Sequence, residues 1–123
     1  MKTVFAVDDS PTARASIEYT LTKAGYKVVL AEDGVAALEK IPAYSHQIDV
    51  FLFDVNMPNM DGITLIKRVR AIADHKYTPI LFLTTESQES KKMEGKSAGA
   101  SGWIVKPFEP EQLVSLIDRF SGE

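Results

Sequence analysis

Short apolar runs alternate with stretches of helical periodicity along the whole chain. The first run ends at Asp8 and Asp9, and Ser10 followed by Pro11 then marks the start of a helix, because a hydroxyl caps helices well and proline suits their first position. The same strand-then-helix pattern occurs five times. The predicted strands cover residues 3–7, 27–31, 50–53, 80–83 and 103–105. The predicted helices cover residues 11–25, about 34–42, 62–73, 87–98 and a last stretch from residue 110.

Strict alternation of strands and helices predicts an α/β fold, since each crossover between parallel strands must return over the sheet with a right-handed turn. We expect a doubly wound, five-stranded parallel sheet of flavodoxin-like order 2-1-3-4-5, with five helices on both faces. The 123 residues suit one domain, 1–123, and no output domain is expected after it.

The fourth predicted helix, residues 87–98, lacks a clear apolar face. Met93 is its one large apolar residue, and Gly95 in its interior costs about 1 kcal/mol relative to alanine. We therefore expect this helix to be weakly anchored. Its pattern fits a marginal surface helix and a mobile or partner-binding element equally well.

Composition and charge narrow the classes of function. A net charge of −3 without a basic stripe argues against nucleic acid and membrane as partners, and the lack of cysteine excludes disulfides, thiolate metal sites and a cysteine nucleophile. No signal peptide is visible and no apolar run approaches the roughly 18 residues of a membrane span, so we expect a cytoplasmic protein. His46 and His75 fall in predicted loops, where we expect them to be solvent-exposed and without a role.

Charged and polar side chains occupy the ends of the predicted strands, which meet at one crevice in a parallel sheet. They are Asp8 and Asp9 after the first strand, Glu32 and Asp33 after the second, Asp54 after the third, Thr84 after the fourth and Lys106 after the fifth. Two unit charges 4 Å apart repel by about 4 kcal/mol at an effective dielectric of 20, so the acids need cations nearby or must take up protons. Oxygen ligands favour Mg²⁺, and Lys106 supplies a further positive charge.

A carboxylate beside Mg²⁺ and an ammonium group is a nucleophile suited to phosphoryl transfer. We interpret Asp54 as the acceptor and Thr84 as a hydroxyl donor to the phosphoryl group. Each residue taken alone has an ordinary explanation, since an aspartate at a strand end often caps a helix and a lysine before proline is usually solvated. Their convergence at one edge favours the functional interpretation.

Four segments, "AVDDS", "FDVNMPNMDG", "LTTES" and "GWIVKPF", resemble the signature blocks of response-regulator receiver domains, in the same order and over the whole chain. Within that family the chain is most similar to single-domain chemotaxis regulators of the CheY type. The resemblance implies that Asp54 is phosphorylated. It also implies that Asp9, Asp54 and the backbone carbonyl of Asn56 bind Mg²⁺, that Asp8 acts through water, and that Lys106 pairs with the phosphoryl group.

The resemblance further implies a switch in which Thr84 swings toward the phosphoryl group and an aromatic side chain at position 103 responds. The family's usual residue there is Tyr or Phe, and Trp103 needs more room behind Thr84. A plain apolar anchor between the last strand and the fourth helix explains Trp103 equally well. Asn56 and Glu86 are expected to tune phosphate hydrolysis.

The partners that the resemblance implies are a sensor histidine kinase of the CheA type as phosphodonor, a phosphatase, and a protein target such as the flagellar motor switch or an adaptor. The target would contact helix four, strand five and helix five of a signalling protein that is no enzyme beyond catalysing its own phosphorylation and dephosphorylation. A phosphate sink or relay for a shared kinase is the alternative. An aspartate-nucleophile phosphohydrolase would have a second Asp where Asn56 stands, and a flavodoxin-like binding module would have glycine and hydroxyl groups in place of the acids of "DDSPTA".

Overall fold

Five parallel strands form one sheet in the order β2-β1-β3-β4-β5. The structure, a computed structural model, describes residues 1–85 and 89–122. The strands are β1 Thr3–Val7, β2 Lys27–Ala31, β3 Ile48–Asp54, β4 Ile80–Thr85 and β5 Gly102–Lys106. The helices are α1 Pro11–Lys23, α2 Gly34–Tyr44, α3 Gly62–Arg70, α4 Glu89–Ala98 and α5 Pro110–Ser121, with one 3-10 turn at Ala73–His75. This topology confirms the predicted fold class.

The sheet carries a separate hydrophobic core on each face, because successive strand residues point to opposite sides. One face packs four phenylalanines against α2 and α3, and the other packs leucines of β3 and β4 against α1 and α5. The phenylalanines are Phe5, Phe51, Phe53 and Phe82. Helices on both faces therefore leave only the two ends of the strands open to polar side chains.

Several boundaries differ from those that the sequence predicts. Pro42 lies inside α2 and does not end it, since Ile41 is buried and Tyr44 packs against the core, which offsets the hydrogen bond that proline cannot make. α3 ends at Arg70, and Ile72 is extended before the 3-10 turn begins. β3, β4 and β5 are each longer than predicted, because the backbone ladder continues into polar residues. Ser87, the predicted start of the fourth helix, lies outside the described residues.

α4 approaches the sheet through a glycine. A Cβ added at Gly95 would lie 2.5 Å from Cε1 of Phe82, so only glycine permits this separation. Met93, the large apolar residue of this helix, is 72% exposed and contributes little burial. Close approach at Gly95 thus takes the place of the apolar stripe that the sequence lacks.

One prediction, the solvent exposure of His75, fails at the amino end of the sheet. His75 is only 1% exposed, and its ring nitrogens lie 3.1 Å from Ser45 Oγ and 3.0 Å from Thr78 Oγ1. Its ring also packs edge-on against Phe51, with centroids 5.0 Å apart. The prediction of an exposed His75 was therefore wrong, whereas His46 is exposed as expected.

Among the helices of residues 1–85 and 89–122, none combines the length and the apolar character needed to cross a bilayer.

Candidate functional site

Three carboxylates meet at the carboxyl end of the sheet. Asp8, Asp9 and Asp54 each present an oxygen within 4.8 Å of the other two. Asp8 is 1% exposed and Asp54 6% exposed, whereas Asp9 is open to solvent. Within the described part of the chain this is the one group of three or more histidine or acidic side chains arranged so that it could hold a metal ion.

Neighbouring strands bring these acids together. β1 pairs with β3 so that Val7 lies beside Phe53, and the next residues along the two strands are Asp8 and Asp54. The turn from β1 into α1 is then fixed by two side-chain caps: the N–H of Ser10 donates to Asp8 Oδ1 at 3.0 Å, and the N–H of Ala13 donates to Ser10 Oγ at 3.2 Å. The predicted helix cap at Ser10 is confirmed.

Lys106 extends its ammonium group into the acid cluster from the end of β5. Its Nζ lies 3.2 Å from Asp8 Oδ2 and 3.6 Å from Asp54 Oδ2. Since β4 lies between β5 and β3, and β3 lies between β4 and β1, the lysine reaches across one strand to Asp54 and across two to Asp8. The sequence predicted this meeting of charges from strand order alone.

The pKa of Asp54 is raised because nearby positive charge does not fully compensate for burial and for the neighbouring acids. Burial, first of all, and then the negative charge of Asp8 raise the pKa of Asp54 from 3.8 to about 6. The ammonium of Lys106 and the N–H of Asn56, which donates to Asp54 Oδ1 at 3.3 Å, oppose the rise without cancelling it. A further cation at this place would favour the charged carboxylate.

Thr84 and Asn56 border the same carboxyl end. Thr84 is buried near the end of β4, beside Val105 in the ladder with β5. Asn56 is exposed in the loop after β3. Glu86, the other position expected to tune hydrolysis, lies outside the described residues.

Trp103 lies on β5 beside Phe82 of β4, with the two ring centroids 6.1 Å apart. The indole is 38% exposed. Phe82 is also the ring against which Gly95 of α4 packs, so Trp103 and α4 share a contact residue. Both interpretations of Trp103, switch and anchor, stay predictions.

Strand two contributes less to the site than the sequence suggested. Asp33 is the N-cap of α2, and its Oδ1 accepts a hydrogen bond from Ala36 N at 2.8 Å. It is not among the three clustered acids, and Glu32 is exposed. A helix cap satisfies Asp33 locally, which is the ordinary explanation for an aspartate in this position.

Gly62 is a residue of the site that the sequence analysis missed. A Cβ at this position would lie 2.3 Å from the backbone oxygen of Asp54, so a side chain here would displace the strand end that carries Asp54. The sequence signal was a glycine at the first position of a predicted helix, directly after an aspartate that can cap it. In the structure Asp61 does cap α3, and Gly62 is its first residue.

The sequence matches a known family. The family described as response regulator receiver domain matches residues 4–118. The chain belongs to the response regulator receiver domain family. This receiver domain is 42% identical over 120 residues to chemotaxis protein CheY1 of Helicobacter pylori strain ATCC 700392/26695, covering 97% of the chain and 96% of that protein.

Solved structures agree with this assignment. The low-pH structure of Vibrio cholerae chemotaxis protein CheY4 matches with a TM-score of 0.92 at 48% identity and covers 98% of each chain. The receiver domain of sensor histidine kinase PA1611 from Pseudomonas aeruginosa PAO1 matches with a TM-score of 0.86 at 27% identity, covering 99% of this chain and 98% of that one, and was solved with a magnesium ion coordinated in its active-site cleft. This receiver domain is thus a signalling module of the two-component class.

Proposed function

We propose that this receiver domain is a phosphorylation-controlled switch in chemotaxis, and that it accepts a phosphoryl group on Asp54 from a sensor histidine kinase of the CheA type. The observation that carries the proposal is the convergence of Lys106, Asp8 and Asp9 on a buried Asp54, with the oxygens of the three acids within 4.8 Å of one another. The similarity to chemotaxis proteins of the CheY type over nearly the full chain supports the signalling context.

The donor set fits Mg²⁺. Carboxylate oxygens are hard ligands, and because burial and then the negative charge of Asp8 raise the pKa of Asp54, a cation at the cluster would favour its charged form. Asp9, Asp54 and the backbone carbonyl of Asn56 would hold the ion, with Asp8 acting through a water. When bound there, Mg²⁺ supplies positive charge against the carboxylates and the phosphoryl oxygens. The magnesium in the cleft of the related kinase receiver domain supports the same location.

The remaining chemistry is carried by the chain's own residues. A carboxylate oxygen of Asp54 attacks phosphorus while the bond from phosphorus to the donor's histidine nitrogen breaks, and the imidazole keeps that electron pair. The ammonium of Lys106, already 3.6 Å from Asp54 Oδ2, stabilises the charge that the phosphoryl oxygens carry. The hydroxyl of Thr84 donates a hydrogen bond to one of them. Asn56 and Glu86 flank the product and tune its hydrolysis.

The added phosphoryl group brings close to two negative charges, which favours the arrangement of Thr84 and Lys106 that holds it. The response passes to the surface formed by α4, β5 and α5, where Trp103 and Gly95 meet at Phe82. A protein target such as the flagellar motor switch or an adaptor binds that surface, and a phosphatase resets the site. Asn56 stands where a phosphohydrolase would place its acid, which disfavours that alternative.

Intact mass measurement tests the acceptor. Wild type, Asp54→Asn and Asp33→Asn are incubated with acetyl phosphate and Mg²⁺. We expect a phosphoryl adduct on wild type and on Asp33→Asn, whose carboxylate lies outside the cluster, but none on Asp54→Asn or with excess chelator. Lys106→Met should slow formation about 100-fold, the typical loss for one donor that stabilises transition-state charge. An adduct on Asp54→Asn would remove the acceptor from the proposal.

A binding measurement tests the switch. The affinity for the cognate motor-switch protein should rise at least about tenfold, or 1.4 kcal/mol, when wild type is phosphorylated, and should not change for Asp54→Asn. An unchanged affinity in a fully phosphorylated wild type would leave the phosphate sink or relay as the function.

A further inference from the structure

Arg14 links the first turn of α1 back to the end of β1. Its backbone N–H donates to Ser10 O at 2.9 Å, which begins the hydrogen-bond ladder of the helix, and its Nη1 donates to Asp8 O at 2.7 Å. The side chain is half-buried. Arg14 has no role among the site residues that the sequence predicts.

The acceptor of this bond is the carbonyl of the peptide that joins Asp8 to Asp9. A peptide unit is planar, so a fixed carbonyl oxygen restricts the ψ angle of Asp8 and the φ angle of Asp9 together. The carboxylate of Asp8 is separately held, since Ser10 N and Lys106 Nζ both donate to it at 3.0 and 3.2 Å. Asp9 is exposed, and its direction depends on the peptide plane before it.

We propose that Arg14 is a positioning residue, which holds the peptide between Asp8 and Asp9 so that the carboxylate of Asp9 stays within ligand distance of Asp8 and Asp54. The inference rests on the proposed function, because it assigns Arg14 to the assembly of the Mg²⁺ site. The guanidinium hydrogen bond, and not merely the positive charge of the side chain, produces the effect. A loss of that bond therefore weakens the site even where long-range charge is screened.

A neighbouring strand shows that lysine can make the same kind of bond. Lys40 Nζ donates to the backbone oxygen of Leu30, near the end of β2, at 2.6 Å. Lys40 and Arg14 line a common pocket of about 240 Å³, which leaves room for a lysine to reach the Asp8 carbonyl from position 14. Methionine has similar length but no donor, so Arg14→Lys and Arg14→Met separate the hydrogen bond from packing.

Calorimetric Mg²⁺ titration of wild type, Arg14→Met and Arg14→Lys provides the main test. We expect Arg14→Met to bind Mg²⁺ about tenfold more weakly and Arg14→Lys to stay within about threefold of wild type, the scale of one charge-assisted hydrogen bond. Arg70→Met is the matched control, because Arg70 also donates to backbone carbonyls but at the opposite end of the sheet. Its Mg²⁺ affinity should equal that of wild type.

Two further readouts separate positioning from charge and from general damage. In about 1 M salt, where the Debye length is about 3 Å, the loss in Arg14→Met should persist. In the metal-free protein the Asp9 amide resonance, which reports the same peptide, should shift in Arg14→Met and return toward its wild-type position in Arg14→Lys.

The outcomes are distinct. A wild type without Mg²⁺ affinity would defeat the proposed function. A wild type that binds Mg²⁺ while Arg14→Met binds it equally well, or loses affinity only at low salt, would overturn the role of Arg14 and leave the proposed function intact.

Discussion

The amino and carboxyl ends of the same sheet both bury polar side chains, yet they treat them in opposite ways. At the amino end, His75 lies between two hydroxyl groups, and Arg70 donates to the backbone oxygens of Gly99, His75 and Thr78. At the carboxyl end, three acids share one ammonium group, and the pKa of Asp54 rises to about 6. The polar groups of the first end are matched by hydrogen bonds, and the second end is short of positive charge.

The difference separates a region that stabilises the fold, the amino end, from a region that is suited to function, the carboxyl end. Throughout the described residues, every buried side-chain nitrogen or oxygen has a hydrogen-bond partner, so neither end suffers from missing hydrogen bonds. What distinguishes the carboxyl end is the burial of the Asp54 carboxylate together with its repulsion by Asp8, which costs folding free energy until a cation arrives. A matched buried network stabilises a fold, whereas an unmatched one marks a candidate site.

Removal of the arginine at the amino end should have the largest effect on stability. Arg70→Met deletes three hydrogen bonds to backbone oxygens, each worth about 1 kcal/mol net, so we expect the free energy of unfolding to fall by about 3 kcal/mol. Urea unfolding followed by Trp103 fluorescence measures it. Arg68→Met, an exposed arginine of the same helix, should cost less than about 0.5 kcal/mol. Equal losses in the two variants would show that the amino-end network does not stabilise the fold.

Removal of the negative charge of Asp54 should change the stability in the opposite direction. The folded-state pKa of Asp54, about 6, exceeds the ordinary 3.8, so the folded protein binds more protons between these values. Stability is therefore gained as pH falls from about 6 toward 4 and is lost above pH 6. We expect Asp54→Asn to raise the free energy of unfolding by about 2 kcal/mol at pH 7.5 with chelator present, about two thirds of the full value of the shift at 1.36 kcal/mol per unit.

Urea titrations of wild type and Asp54→Asn across this pH range check the sign. Glu32→Gln is the control, since it removes an exposed carboxylate at the same end of the sheet and should change stability little. If the stability of wild type does not fall between pH 4 and 7 relative to Asp54→Asn, the ionised carboxylate of Asp54 does not destabilise the fold and the prediction is wrong.

Magnesium should stabilise the carboxyl end only, because the buried acids that repel one another lie there. At ten times its dissociation constant, Mg²⁺ is expected to raise the free energy of unfolding of wild type by about 1.4 kcal/mol through linkage. Arg70→Met should gain the same amount despite its lower stability, because its defect lies at the amino end. Thermal unfolding with and without Mg²⁺ measures the gain. A gain of equal size in Asp54→Asn at the same concentration would show that the ion binds elsewhere.

The carboxyl end was predictable from the sequence because the topology of the sheet alone brings its residues together. Apolar runs of strand length fixed the strands, and parallel strands must end at a common edge, so Asp54 and Lys106 could be placed together without knowledge of any side-chain contact. β1 and β2 were predicted to the residue. Strands three to five were predicted too short, because a polar residue such as Asp54 resembles the start of a turn although its backbone still belongs to the ladder.

The amino end was not predictable because its partners are distant along the chain. His75 stands in a segment without periodicity, and its burial depends on Ser45, which is 30 residues earlier. Arg14, at the carboxyl end, was missed for a different reason: its partner Asp8 is only six residues earlier, but nothing in the local pattern shows that the side chain turns back to it. Pairwise polar contacts of this kind have no sequence period and become visible only when the fold is known.

The smallest predicted effect concerns the titration of His75. Burial, first of all, lowers the pKa of His75, with Arg70 and His46 acting in the same direction and Asp74 opposing them. Because its folded pKa lies below the ordinary 6.5, the unfolded chain takes up the proton first, and stability falls as pH decreases below that value. One proton contributes at most about 1.4 kcal/mol per pH unit, so the loss between pH 6.5 and 5.5 stays below that limit.

Asp54 masks this loss in wild type, because its protonation stabilises the fold over an overlapping range. The measurement therefore compares Asp54→Asn with Asp54→Asn/His75→Asn by urea unfolding across pH 5–7.5, with chelator present. We expect stability to fall toward acid pH in the single variant and the slope to flatten in the double variant, whatever the absolute cost of replacing a buried imidazole. Asp54→Asn/His46→Asn, which removes the exposed histidine, should keep the slope. A slope that disappears with His46 and remains without His75 would reverse the assignment, because the titrating group would then lie on the surface and the amino end would carry no buried proton site.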